Sequence, residues 1–329
     1  MDNRRCGGRG GFTLIEMMIA LAIMAIALTA IFSSFSFQHK SYVTQNAVAQ
    51  MQQSVRGGLA FMEGDLRNAA SVPSTNINIP SQLFGGSVPT SLVSGLGIKD
   101  GGANGSDNIY IISLIGGDTY LQKAPGQSVL NSSEAEVSDV TGWAIGDFGI
   151  IYDATNADMF FTTQVQASPT KLQHNPAGSI FSDNKFTHNY ASGTRIARIR
   201  YSGYSIDSST NPAHPVLVRW GVDNTGTMIS EIVAEDIEDM QVLLGVYDNA
   251  AQTITEHGGD WFTGGNAAQL ANVRQVRIQL VGRSPMADAA WNEGAYYNTR
   301  YNRTWGAGGY DHHRRRPLEQ IIHIRNAGL

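Results

Sequence analysis

Cysteine is almost missing from this chain: Cys6 is the only one in 329 residues. A disulfide framework is therefore excluded, and a body of this size has to be held by its apolar core and backbone ladders. Cys6 also precedes the first apolar stretch, whereas a lipid-anchor cysteine would follow it. Charge is sparse too, at 16% of residues, and there is no basic excess. The formal net charge is −5, and the one basic block in the body is Arg314-Arg315-Arg316. Nucleic acid is accordingly not an expected partner, because its phosphates call for a concentrated positive surface. No Gly-x-Ser-x-Gly, His-Glu-x-x-His or Cys–His arrangement is present. The scattered glycine pairs lack the strand-to-helix setting of a phosphate loop. The expectation is a protein that is not an enzyme, with no catalytic residue, no metal and no cofactor.

What the chain does have is concentrated at its start. Residues 1–11 are polar, glycine-rich and basic, with Arg4, Arg5 and Arg9 against Asp2. From Phe12 to Phe37 the sequence is almost wholly apolar and free of proline. Crossing a bilayer takes about 20 such residues. The arginines would stay on the cytoplasmic side, sending everything after roughly Gln38 outward. A secretory signal cleaved after Ala27–Ala30 is one reading, although the run is long for one. A plain anchor explains the length and the basic flank, but not the acid inside the run. Glu16 would cost up to roughly 2.5–3.5 kcal/mol if fully immersed, so it calls for a compensating partner; snorkelling to the headgroups is the alternative.

Gly11 followed by Phe12-Thr13-Leu14-Ile15-Glu16 resembles the class III signal of type IV prepilins and type II secretion pseudopilins. The resemblance implies cleavage between Gly11 and Phe12 by a membrane-embedded prepilin peptidase, followed by N-methylation of Phe12. It also makes Glu16 the fifth mature residue and the family's assembly glutamate, pairing with the terminal amine of a neighbouring subunit. Removing residues 1–11 would leave a chain without cysteine.

Past Lys40 the helical pattern continues. Val43, Ala47, Met51, Val55, Leu59, Met62 and Leu66 recur at steps of three or four, one stripe on a helix. Gly57-Gly58 interrupts it at about 1 kcal/mol per glycine, and Ser71-Val72-Pro73 ends it. A helix over 12–70 would run near 90 Å at roughly 1.5 Å per residue. Residues 71–108, rich in Gly, Pro, Ser and Asn, read as surface loop. Strand-like runs follow at Ile109–Ile115, Trp143–Asp153, Met159–Gln166, Arg195–Tyr204, Val216–Trp220, Met228–Val233, Met240–Tyr247, Val273–Val281 and Leu318–Arg325. Asp153-Ala154-Thr155-Asn156 suggests a hairpin. Val276, Ile278 and Leu280 alternate with Gln275, Arg277 and Gln279, as in a sheet with one wet face.

The order of Glu235–Asp248, Val273–Ile278, Arg283-Ser284 and Arg314–Arg316, with Asp65-Leu66-Arg67 near the helix end, resembles the PilW-type minor pilins. The resemblance implies an α+β, pilin-like fold: a long N-terminal helix, transmembrane then amphipathic, packed on an antiparallel β-rich globular domain. The expected division is a leader 1–11, a membrane or filament-core helix 12–37, its amphipathic half 38–70 and a globular domain 71–329. An insertion at about 75–190 has no family counterpart.

The implied role is initiation, assembly and tip formation of a type IV pilus. Implied partners are the prepilin peptidase, the major pilin, other minor pilins, an inner-membrane assembly platform and an external ATPase motor. The chain would sit in the inner membrane with a cytoplasmic N-terminus, then in the pilus at the cell surface. A J-like pseudopilin of a type II secretion system shares the plan, and a tip-displayed adhesive module in 75–190 is a further alternative.

Three other features invite chemistry. Glu235, Asp236, Glu238 and Asp239 read as a short helix with a solvated face anchored by Ile237 and Met240. Asp311-His312-His313 lacks a spaced third metal ligand. Arg314–Arg316 is expected to pair with acids of a neighbouring subunit or of its own fold.

Overall fold

The computed structural model describes residues 12–69, 72, 76–80, 91–92, 95–101, 105–175, 181, 183–223, 225, 227–261, 272–292, 296–298, 303–305 and 311–325. One helix, α1 (Leu14–Arg67), precedes the strands. The first nine strands are β1 (Asn76–Asn78), β2 (Ser91–Leu92), β3 (Leu96–Lys99), β4 (Asn108–Tyr120), β5 (Glu134–Glu136), β6 (Phe148–Tyr152), β7 (Asn156–Phe161), β8 (Gln164–Ala167) and β9 (Thr170–Gln173). The remainder are β10 (Arg195–Asp207), β11 (Val216–Val222), β12 (Met228–Glu235), β13 (Ile237–Asp248), β14 (Thr253–His257), β15 (Val273–Arg283), β16 (Tyr296–Asn298), β17 (Arg303–Trp305) and β18 (Arg315–His323). This is the α+β arrangement of one long apolar helix and a strand-rich body.

The chain divides into two compact units, residues 1–49 and 50–329. In the first, every side chain from Phe12 to Phe37 is exposed in the single chain. Helical geometry there closes the backbone hydrogen bonds internally, which an apolar solvent demands.

The second unit begins with the last turns of α1. Met51, Val55, Leu59, Met62 and Leu66 are all buried, as their spacing predicts. A core joins this stripe to Ile237, Met240, Val242 and Leu244 of β13, Val276, Ile278 and Leu280 of β15, and Leu217 of β11. The two glycines in the helix differ. A Cβ on Gly58 would lie 3.1 Å from Leu217, 3.2 Å from Leu280 and 3.3 Å from Ala234, so α1 lies close on the strands there. A Cβ on Gly57 meets nothing within 4 Å. Gly57→Ala is therefore expected to stabilise the chain by about 0.5–1 kcal/mol through lost unfolded-state freedom. Gly58→Ala should gain less, as parallel thermal melts would register.

A nine-stranded sheet runs β12-β11-β10-β6-β7-β1-β2, with β4 also on β10 and β3 on β4. Its pairings are antiparallel except β1 with β7. A four-stranded sheet, β14-β13-β15-β18, a three-stranded one, β5-β9-β8, and the β16-β17 pair complete the body. Alternation along the strands sends neighbours into different cores. Tyr110 and Ile112 enter a second core with Ile150, Met159, Phe161, Ile199 and Tyr201. Ile109 and Ile111, on the opposite face, enter the α1 core. Further along that face, Leu121, Ile151, Phe160 and Ile196 pack in a third core with Leu172 of β9.

Residues 71–108 correct the loop expectation where they are described. Ile77, Ile79, Leu96 and Ile98 are buried, and β1, β2 and β3 belong to the large sheet. Ile196, which breaks the alternation of its strand, is buried in the third core rather than wasted. A register shift at Arg198 lies beside it. The wet-face expectation for β15 holds only partly, since Gln279 is buried and donates to Glu319 at 3.0 Å.

Candidate functional site

The N-terminus of α1 is organised by two residues. Thr13 precedes the first helical residue, and its backbone N–H and its hydroxyl both donate to Glu16 Oε2 at 2.9 Å. The Glu16 N–H donates back to Thr13 Oγ1 at 3.3 Å. This reciprocal pattern is a capping box, satisfying two of the donors that a helix start leaves unpaired. Phe12, just before it, is 86% exposed. Gly11 lies outside the described residues. The sequence reading missed the role of Thr13, although Thr-x-x-Glu before an apolar run signals it. The hydrogen bonds fall on Oε2, so Glu16 Oε1 has no partner among the described residues.

The other end of α1 is pinned by Asp65. Its Oδ2 accepts from the Tyr204 hydroxyl at 2.8 Å and from Arg219 Nε at 2.7 Å. Leu66 is fully buried in the α1 core, and Arg67 pairs with Glu63 one turn back. Asp65-Leu66-Arg67 thus fastens the helix to β10 and β11.

The acidic run corrects its expectation: it is a strand–turn–strand and not a helix. Asp236 takes a positive φ of 56° between β12 and β13. A register shift between Ile237 and Asp239 then lets Ile237 and Met240, three apart, enter the same core. That bulge imitates helical spacing. Three of the four acids have side-chain partners. Glu238 takes Arg315 in a two-pronged contact at 2.6 and 3.1 Å, and Asp236 Oδ1 lies 2.8 Å from His214 Nδ1. Asp239 is fully buried and accepts from the Ser106 hydroxyl at 2.6 Å.

Two members of the arginine triplet, Arg314 and Arg315, pair with acids of their own fold. Arg314 stacks on Trp291, 4.0 Å from the ring centre, and reaches Asp288 at 2.8 Å. Arg315 joins Glu238 and Asp311, and its hydrogen bond holds the Asp311 carboxyl down at about 2. His312 and His313 turn Nδ1 to the backbone carbonyls of Trp291 and Ser284, each at 2.7 Å.

One buried acid departs strongly from ordinary behaviour. Asp107 accepts from the Gly101 and Val242 N–H groups at 3.0 and 2.8 Å, tying the start of β4 to β13. Burial pushes its pKa up to about 7 in spite of those bonds, with Asp100 and Asp239 adding repulsion. Between about pH 4 and 7 the folded chain therefore holds a proton that the unfolded chain has released. This contribution is complete below about pH 4 and is lost as pH rises through about 7. Denaturant unfolding of wild type and Asp107→Asn across that window should show wild type losing stability relative to the variant.

These arrangements secure the fold. The helix terminus is different, combining an exposed apolar length with a carboxylate whose Oε1 has no partner among the described residues. Two family models match. Residues 7–32 match the prokaryotic N-terminal methylation motif, and residues 203–326 match the type IV pilus-assembly protein W family, PilW.

These matches support a type IV minor pilin of the PilW type.

Comparison with curated proteins and with solved structures gives no match. The PilW match runs from the middle of β10 to just past β18. It thereby takes in the Asp65 partners Tyr204 and Arg219 and the arginine triplet. As a type IV pilus minor pilin the chain is a structural subunit. It is a single-pass inner-membrane protein through α1 that is later incorporated into the pilus. The methylation motif implies processing by a prepilin peptidase and assembly with other pilins.

Proposed function

We propose that this PilW-type pilin acts in initiation and at the tip of the pilus. Cleavage falls between Gly11 and Phe12, and the new Phe12 amine is methylated. The observation that carries the reading is the Thr13–Glu16 capping box opening an exposed apolar helix inside a matched methylation motif. In the membrane, Glu16 Oε2 is held by its own helix while Oε1 stays open. A neighbouring subunit's amine supplies the compensating charge, and neighbouring helices cover the apolar surface from Phe12 to Phe37. The major pilin, other minor pilins and the inner-membrane platform are the partners this requires. A body with three cores on a nine-stranded sheet suits a subunit present in few copies at one end of a filament. Intact-mass and N-terminal fragment spectrometry of chain from cells is expected to find N-methylated Phe12; a terminus after Ala27–Ala30 would overturn the reading.

A further inference from the structure

We propose that the free edge of β12 docks an extended strand from another filament subunit, one alternating basic and apolar side chains. β12 ends the nine-stranded sheet and pairs with β11 alone among the described residues. The Asp223 N–H donates to the Thr227 carbonyl at 3.0 Å and closes the β11–β12 hairpin. The antiparallel alternation then turns the backbone groups of Met228 and Ser230 away from β11.

Sheet edges are ordinarily blunted by shortness, proline or positive charge. β2 has two residues and β14 five. β18 carries Arg315, Arg316 and Pro317. β12 is eight residues long without Pro, Lys or Arg. It instead exposes Met228 at 53%, Ile229 at 53% and Ile232 at 62%.

Charge and register select the occupant. No lysine or arginine lies between Arg219 and Arg274, while Asp223, Glu231 and Glu235 border the edge. Glu231 shares a face with Arg219, which it meets at 3.0 Å and shares with Asp65 at 2.7 Å, so the two acids outnumber the one cation there. Met228, Ser230 and Ile232 lie on the other face, opposite Val222, Trp220 and Val218. A complementary strand therefore needs cations on the Glu231 side and apolar groups on the Met228–Ile232 side. A second β12 fails that requirement, because it carries no lysine or arginine to meet Glu231.

The identity of the occupant as a subunit rests on the pilin reading, whereas the edge is testable without any filament. The probe is a fluorescein-labelled peptide of four Lys-Val repeats, titrated into full-length chain in detergent and followed by anisotropy. Saturable binding is expected. It should weaken at least tenfold when alternate peptide nitrogens are methylated, and likewise with Ser230→Pro, which removes one outward N–H. A Glu-Val peptide should not bind. No Lys-Val binding, equal binding of the N-methylated peptide, or equal binding of the Glu-Val peptide would each overturn the proposal. Wild-type self-association abolished by Ser230→Pro would also overturn it, placing a second copy at the edge. Should Ser230→Pro fail to fold by circular dichroism, the N-methylated peptide on wild type decides alone. Failure here with Phe12 found methylated would sink the edge and leave the pilin assignment intact.

Discussion

Replacing Glu16 by alanine is expected to leave cleavage and Phe12 methylation intact while cutting the chain recovered in sheared pili by at least about tenfold. The helix itself is not at stake. Loss of the capping box costs about 1 kcal/mol at one end of a helix 54 residues long. On the proposed function, what the variant removes is the charge that meets a partner's amine in an apolar filament interior. Breaking one half of a buried pair costs several kcal/mol, because the other half is left uncompensated. Glu16→Gln separates the two roles. Glutamine still completes the box with Thr13 but brings no charge, so it should fail as alanine does. Normal incorporation of the glutamine variant would assign Glu16 to helix capping alone.

The second large effect is expected at Gly282, near the end of β15. A Cβ there would stand 2.5 Å from Val55 Cγ2 and 2.8 Å from Met51 Cγ, both on α1. Valine adds two methyl groups beyond that clash, in a place where the buried stripe leaves no room. Gly282→Val should therefore lever the helix off β15 and cost about 3 kcal/mol or more, at the upper end of overpacking effects. For a body of this size that corresponds to a fall of roughly 6–12 °C in Tm. Scanning calorimetry of the full chain in detergent would measure it. An unchanged melt would mean that α1 does not seat on β15 in solution.

Both predictions involve the helix, the part of the molecule most legible in the sequence. Its apolar stripe repeats at a fixed period, and every residue of that stripe from Met51 onward is buried. The hairpin at Asp153 was equally plain. Asp153 Oδ1 takes the N–H groups of Thr155 and Asn156 at 2.8 and 2.7 Å, a turn written in local chemistry. Features made by distant partners were not legible. β3 is a strand because β4 lies beside it and Trp261 bridges to Ile98, and no local pattern in Leu96–Lys99 reports either neighbour. The Ile237–Met240 spacing misled for the opposite reason: a bulge gave a strand a helical interval. At the functional end, Gly11, Phe12 and Glu16 stood out by type, but Thr13 was passed over as part of the motif until its bonds revealed it.

Strands β4 and β10, thirteen residues each and paired antiparallel, have a consequence for how such a protein can diverge. β4 puts Ile109 and Ile111 into the α1 core and is followed at once by Leu121 in the third. β10 makes the return journey from Ile196 to Tyr204. The segment between them is therefore spliced into the same two beams that carry the helix. It cannot be dropped or exchanged as a cassette, since cutting at either beam opens two cores together. Length can change where the chain stays exposed between core residues, as in the turn 124–128 ahead of buried Val129, and that is where variation should accumulate.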